Sequence, residues 1–314
     1  MDNLLFCLNA TIPIFLLMIL GLIFKRTGMF DDAFVKRMNT FVFKAALPVL
    51  LFQELSGADF IQVWDGVFVL FCFTATALSI AIAVAAARLW KDRSIQGEFA
   101  QAAYRSSAAL LGIGFIQNIY GNAGMAPLMI IGTVPLYNVM AVVILAFMKP
   151  ERETINGALM KKTGLEILTN PIILGILAGM AWSALSLPQP VIMQKTLKYV
   201  ANLATPLGLM AMGATFDWRA ARKKWKPAVV CSGMKLVLFC AIFLPIAVGL
   251  GFRESRLVAV LVMLGSPTTV SCFVMAKNMG HEGTVSSSAV MVTTFLSAFT
   301  LTIWLYVIRT MGLI

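Results

Sequence analysis

Of 314 residues, 60% are hydrophobic and only 12% are charged, which is too little polar surface to cover a soluble globule of that length and points to an integral membrane protein. The formal net charge of +11 does not argue for a nucleic-acid partner, because the Lys and Arg residues cluster in short loops between apolar runs, where they record topology. Cys7, Cys72, Cys231, Cys240 and Cys272 are scattered through apolar runs with no metal-ligand spacing, so they read as small hydrophobes, and neither a disulfide nor a metal site is expected.

The opening stretch, MDNLLFCLNATIPIFLLMIL, lacks a basic leader and a small-residue cleavage site and reads as a retained first span. Allowing ~20 apolar residues per crossing, ten spans follow, near 4–24, 38–58, 66–90, 98–120, 125–148, 165–187, 195–216, 227–251, 256–279 and 284–308. Of the 25 Lys and Arg, 17 lie in or beside the loops after spans 1, 3, 5, 7 and 9, five lie on the opposite side, and Lys44, Arg105 and Lys235 lie within spans. The positive-inside rule then places a multi-pass protein in the cell (inner) membrane with both termini on the non-cytoplasmic side. No loop is long enough to hold a separate domain.

The ninth span, LVMLGSPTTVSCFVMAKNMG from Leu261 to Gly280, carries Ser266-Pro267-Thr268-Thr269 at its middle. Proline lacks an N–H and clashes with the preceding turn, so a broken helix is expected there, with freed peptide groups facing protein or water rather than lipid. An ordinary proline kink is the alternative. Sliding the chain on itself by 158 positions matches Pro13 with Pro171, Gly21 with Gly179, Pro48 with Pro206, Asp59 with Asp217, Phe60 with Trp218 and Phe115 with Phe273. Each half holds five spans, and an odd number makes the two copies cross in opposite senses, giving an inverted repeat over 1–148 and 165–314 joined by a cytoplasmic connection at 149–164. The repeat predicts a second break in the fourth span, with Gly112 and Gly114 at the equivalent depth.

The residues Pro13, Gly21-Leu22-Ile23-Phe24-Lys25-Arg26-Thr27-Gly28, Leu47-Pro48-Val49-Leu50-Leu51-Phe52, Arg105-Ser106-Ser107, Pro135-Leu136-Tyr137-Asn138-Val139 and Ser266-Pro267 with Ala276 together resemble the auxin efflux carrier family. That family includes plant auxin exporters and bacterial carriers of malonate, malate and related carboxylates. The resemblance runs over essentially the whole chain. It implies the all-α, ten-helix fold of sodium/proton antiporters and bile-acid carriers, in which helices 4 and 9 cross at their breaks. Helices 1, 2, 6 and 7 would form a scaffold, and helices 3–5 and 8–10 a moving transport unit. Where many relatives show Arg-Ser-Asn and then Gly-Leu-Pro, this chain has Arg105-Ser106-Ser107 and Gly112-Ile113-Gly114, so an amide ligand has become a hydroxyl.

An anion at such a crossover is favoured by the positive ends of half-helices. Ser266, Pro267, Thr268 and Thr269 around one break, and Ser107, Gly112, Gly114, Gln117 and Asn118 around the other, form the expected substrate contacts, with Ser106 and Ser271 as further hydroxyls. The competing reading has Ser and Thr bonding back to their own helices. Asn138, an amide deep in the fifth span, is either a ligand, as its family match implies, or a helix-packing bond. Arg105 and Lys235 are read as snorkelling to the cytoplasm, with contact to a substrate carboxylate as the alternative for Arg105 and a coupling or charge contact as the alternative for Lys235. Lys44 is read the same way. Glu54 either carries a coupling proton or sits near the outer interface. His281 reads as a solvated loop residue, with pH sensing as the alternative.

These readings converge on a secondary active transporter of a small organic anion, a dicarboxylate or auxin-like acid, working by alternating access at the crossover. A channel or facilitator using the same broken helices is the alternative. No H-E-x-x-H or intramembrane aspartate pair is present, so no enzyme is expected. The expected partners are the substrate, the lipid bilayer, protons as coupling ion and a second copy in a homodimer; no cofactor and no nucleic acid are expected.

Overall fold

The computed structural model describes residues 2–56, 65–108, 113–150 and 157–314, and the regular structure among them is helical throughout. Among the described residues, four helical runs are long and apolar enough to cross a bilayer: α4 (Gly66–Arg88), α7 (Ala126–Phe147), the continuous run Trp225–Gly249, and α17 (Thr284–Thr310). Helix α1 covers Asp2–Arg26. Helix α2 (Asp32–Phe41) passes through a π turn, Val42–Ala46, straight into α3 (Leu47–Ser56). Local chemistry sets several starts: Asp31 caps α2 by accepting from Phe34 N at 2.6 Å, and Asp65 caps α4 by accepting from Phe68 N at 3.0 Å, each filling an orphan donor of a first turn.

Other apolar stretches are divided where one continuous span was expected. Helices α8 (Gly157–Leu168) and α9 (Pro171–Ala184) part at Asn170, whose side chain accepts from Ile172 N at 3.0 Å, and Pro171 takes the first helical position, where its missing N–H costs nothing. Helices α10 (Val191–Ala201) and α11 (Ala204–Ala214) meet at a tight turn. Helix α12 (Trp218–Lys223) precedes the 225–249 run, which consists of α13 (Trp225–Gly233), the π turn Met234–Leu238 and α14 (Phe239–Gly249). Two pairs remain, α5 (Gln96–Tyr104) with α6 (Ile113–Tyr120), and α15 (Glu254–Gly265) with α16 (Ser271–Asn278).

The closest packing falls in two sets of helices, which touch one another where α1 meets α17. Helix α1 lies along α11, and α3 lies along α9 and α10; separately, α4 packs on α7 and α5, and α13, α15 and α5 pack on α17. In the first group glycines bring backbones into direct contact, the way helices associate where hydrocarbon offers no hydrophobic drive. A Cβ on Gly21 would stand 2.1 Å from Met210 O, and one on Gly179 would stand 2.9 Å from Phe52 O. The two contacts correspond under the 158-residue shift, which carries Gly21 onto Gly179 and Phe52 onto Met210. On the same face a Cβ on Gly213 would lie 2.0 Å from Met18 O. Replacing Gly213 by Leu is therefore expected to cost about 3 kcal/mol or more through overpacking. The monodisperse peak in detergent size exclusion should disappear, while Gly164→Ala, with open space around it, leaves the peak intact.

Candidate functional site

The two interrupted pairs meet at their interruptions. Pro267 drives the residue before it out of the helical region, and Ser266 is accordingly extended at φ −70° and ψ 156°, ending α15 at Gly265. No proline ends α5. Its terminus is fixed from outside: Arg105 is extended at φ −67° and ψ 138°, Ser107 N donates to Pro267 O at 2.9 Å, and the Ser106 and Ser266 hydroxyls bond to each other. Thr268 completes the crossing. Its hydroxyl donates to Ala102 O at 2.8 Å, capping an orphan carbonyl of α5, and its N–H donates to Thr293 Oγ1 at 3.0 Å.

Just beyond this crossing lies a cavity lined by Leu47, Leu50, Leu51 and Glu54 of α3, Ile172 of α9, and Ala204 and Thr205 of α11. The facing wall is Arg105, Ser106 and Ser107, Tyr137 and Asn138 of α7, and Thr269, Val270, Ser271 and Val274 at the start of α16. It therefore sits between the two packing groups. Its volume is about 40 Å³, room for about three waters.

The cation in this cavity is Arg105, which is 1% exposed. Its guanidinium donates to Asn138 Oδ1, to Ser271 Oγ at 2.7 Å and to Met275 Sδ at 2.7 Å, and it lies 5.8 Å from the centre of the Tyr137 ring. Asn138 is itself oriented by donating through Nδ2 to Val134 O at 2.9 Å. Every one of these partners is neutral. No carboxylate of the described residues comes within 4.0 Å of the guanidinium, and Arg105 Nε has no hydrogen-bond partner. A buried charge left this way costs several kcal/mol, which an arriving anion would offset. The first turn of α16 adds its positive end on the same side.

The structure changes several sequence expectations. Arg105 does not snorkel, because the backbone ends its helix there and turns the side chain inward onto Asn138 and Ser271. Lys235, also 1% exposed, is turned inward too, its ammonium on the carbonyls of Met263 and Leu264. His281 is not solvated: it is 4% exposed, and its Nε2 lies 2.9 Å from Leu145 O. The interruption after α5 begins at Arg105, not at the glycines; Gly114 lies inside α6, and Gly112 lies outside the described residues, as do Asp59 and Phe60.

Of the expected substrate contacts, Ser107, Asn138 and Thr269 line the cavity together with Arg105 and Glu54. Ser266, Pro267 and Thr268 instead bind the two interruptions to one another. Gln117 and Asn118 are exposed on α6, away from the cavity lining. Thr205 and Tyr137 escaped sequence reasoning as site residues, since neither stands near a break. Gln101 was missed as well; it bridges the halves by donating from Nε2 to Cys272 O at 2.9 Å.

Comparison with known proteins identifies the family. A family described as "Membrane transport protein" matches residues 6–305. A Rhizobium meliloti (strain 1021) protein named "Putative malonate transporter" is 28% identical over 328 aligned positions, covering 96% of this chain and 95% of the relative. An "Uncharacterized transporter" of Methanothermobacter thermautotrophicus (strain ATCC 29096 / DSM 1053 / JCM 10044 / NBRC 100330 / Delta H) is 24% identical over 300 positions, covering 94% of this chain and 96% of the relative. With a match that spans nearly its whole length, the chain belongs to the membrane transport protein family of auxin efflux carriers and is a transporter, not an enzyme.

Proposed function

We propose that the protein is a secondary active transporter of a small organic anion, moving it by alternating access at the crossing of two broken helices. The observation that carries this reading is the buried guanidinium of Arg105, ringed by neutral acceptors in a cavity between two helix groups. In the proposed cycle the group of α1, α3, α9, α10 and α11 is the scaffold, and the crossing moves against it with the helices around α7 and α17. Support for ten spans in two inverted halves comes from the doubled glycine contact, Gly21 on Met210 and Gly179 on Phe52. The loop charges support both termini outside the cytoplasm. Glu54, on the scaffold side of the cavity, is the candidate to exchange a coupling proton.

A short carboxylate fits this site best, and the name of the Rhizobium relative makes malonate the first probe. Reconstituted protein preloaded with unlabelled malonate is expected to take up labelled malonate by saturable counterflow. Equal, non-saturating flux with and without preloading would favour the channel reading instead. A thermal-shift series of mono- and dicarboxylates tests the anion class, since a ligand bound only by the folded state raises the melting temperature. Asn138→Ala is expected to raise the apparent substrate constant about tenfold, the effect of ~1.4 kcal/mol, because the guanidinium loses the oxygen that aims it. An unchanged constant would remove Asn138 from the site.

A further inference from the structure

Lys235 lies within the π turn Met234–Leu238 that joins α13 to α14. Its ammonium donates to Met263 O at 3.2 Å and to Leu264 O. Both carbonyls belong to the last turn of α15, directly before the Ser266-Pro267 interruption. Unpaired carbonyls at a helix C-terminus carry about half an elementary negative charge. Backbone oxygens at an interrupted membrane helix are also the ligands that transporters offer to a monovalent cation. Here the lysine already fills that position.

Lys235 stands in the π turn with its ammonium on α15, and in the same turn Leu236 O accepts from Trp304 Nε1 at 3.1 Å. The bulge is thus held in place from α17. No carboxylate of the described residues pairs with the ammonium, so the α15 carbonyls are the negative partners it is given.

We infer that Lys235 is a tethered counter-cation, a positioning residue that takes the place of a bound sodium ion at the carbonyl end of α15 and fixes the interruption without one. The inference rests on reading residues 266–270 as the crossing of a carrier, and it makes that carrier independent of alkali cations.

The test uses the purified full-length protein in detergent, at constant ionic strength in NaCl, KCl or choline chloride. The unaltered protein is expected to melt at one temperature in all three salts. Lys235→Met keeps the side-chain length without the charge, and amide exchange across 261–270 should rise about tenfold in it. Lys235→Ala opens space at the carbonyls, where ethylammonium or sodium should restore protection and the bulkier choline should not. Unchanged exchange in the Met variant would overturn the assignment. So would a melting temperature that sodium raises over choline in the unaltered protein, or an Ala variant that neither small cation restores, since the lysine would then only fill space. None of these readings needs a transported solute, so failure of malonate counterflow leaves the result standing, and the converse also holds.

Discussion

Replacing Arg105 by Met is expected to abolish anion binding while changing the stability of the empty carrier by no more than about 3 kcal/mol. The side chain is the cavity's cation, buried among the Asn138, Ser271 and Met275 acceptors with no carboxylate in contact. Removing one partner of a buried charged hydrogen-bond pair costs about 2–5 kcal/mol in binding. Even about 3 kcal/mol weakens an affinity more than a hundredfold. The empty state is affected less. It loses a buried charge that has no carboxylate in contact, and that relief is set against the Asn138 and Ser271 oxygens left without their donor, a cost of about 1–3 kcal/mol. Arg105→Lys separates charge from shape: one ammonium cannot serve Asn138 and Ser271 as the planar fork does, so partial binding is expected. Thermal shift with and without malonate reads both quantities in one experiment. A Met variant that still gains stability from the anion would dismiss Arg105 as its receptor, and one that fails to fold would show that the guanidinium holds the crossing together instead.

The long apolar helices were legible because composition alone requires them: α4, α7 and α17 fall close to the expected 66–90, 125–148 and 284–308. The interruption at Ser266 was legible too, since proline acts locally on its own peptide and on the residue before it. Its counterpart was legible through the repeat, but the place where it begins was not. Nothing in Tyr104-Arg105-Ser106 forbids a helix, and the chain is held extended there only by partners about 160 residues away, Ser266, Pro267 and Thr268. The inward turn of Arg105, Lys235 and His281 was hidden for the same reason. Each side chain is drawn to an acceptor on a distant helix, Asn138, Met263 or Leu145, and no local pattern announces such an acceptor. Snorkelling was the expectation that local sequence supports, and tertiary contacts override it.

Glu98 and Glu282 stand near the same end of the molecule and should respond to substitution in opposite ways. Glu98, on α5, is 1% exposed and accepts from Gly283 N at 2.7 Å and from Ser286 N at 2.9 Å. Its carboxylate therefore caps α17 from another helix, filling orphan donors with a negative charge at the positive helix end. Gly283 itself, at φ 76°, is a backbone turn with no side chain to do this. Glu98→Ala leaves two buried N–H groups unpaired, a loss of about 3 kcal/mol, and it unfastens α5, the helix that ends at Arg105, from α17. Glu98→Gln keeps an acceptor for one N–H but turns an amide donor toward the other, so it should recover less than half of the loss. Glu282 is largely exposed, and its pair with Lys224 at 2.6 Å reaches into solvent, where such pairs contribute about 0–1 kcal/mol. Glu282→Ala should leave the melting temperature nearly unchanged. Amide exchange at 283–287 decides the matter: protection there should collapse in the Glu98 variant and persist in the Glu282 variant, and equal protection in both would mean that α17 is held by its packing alone.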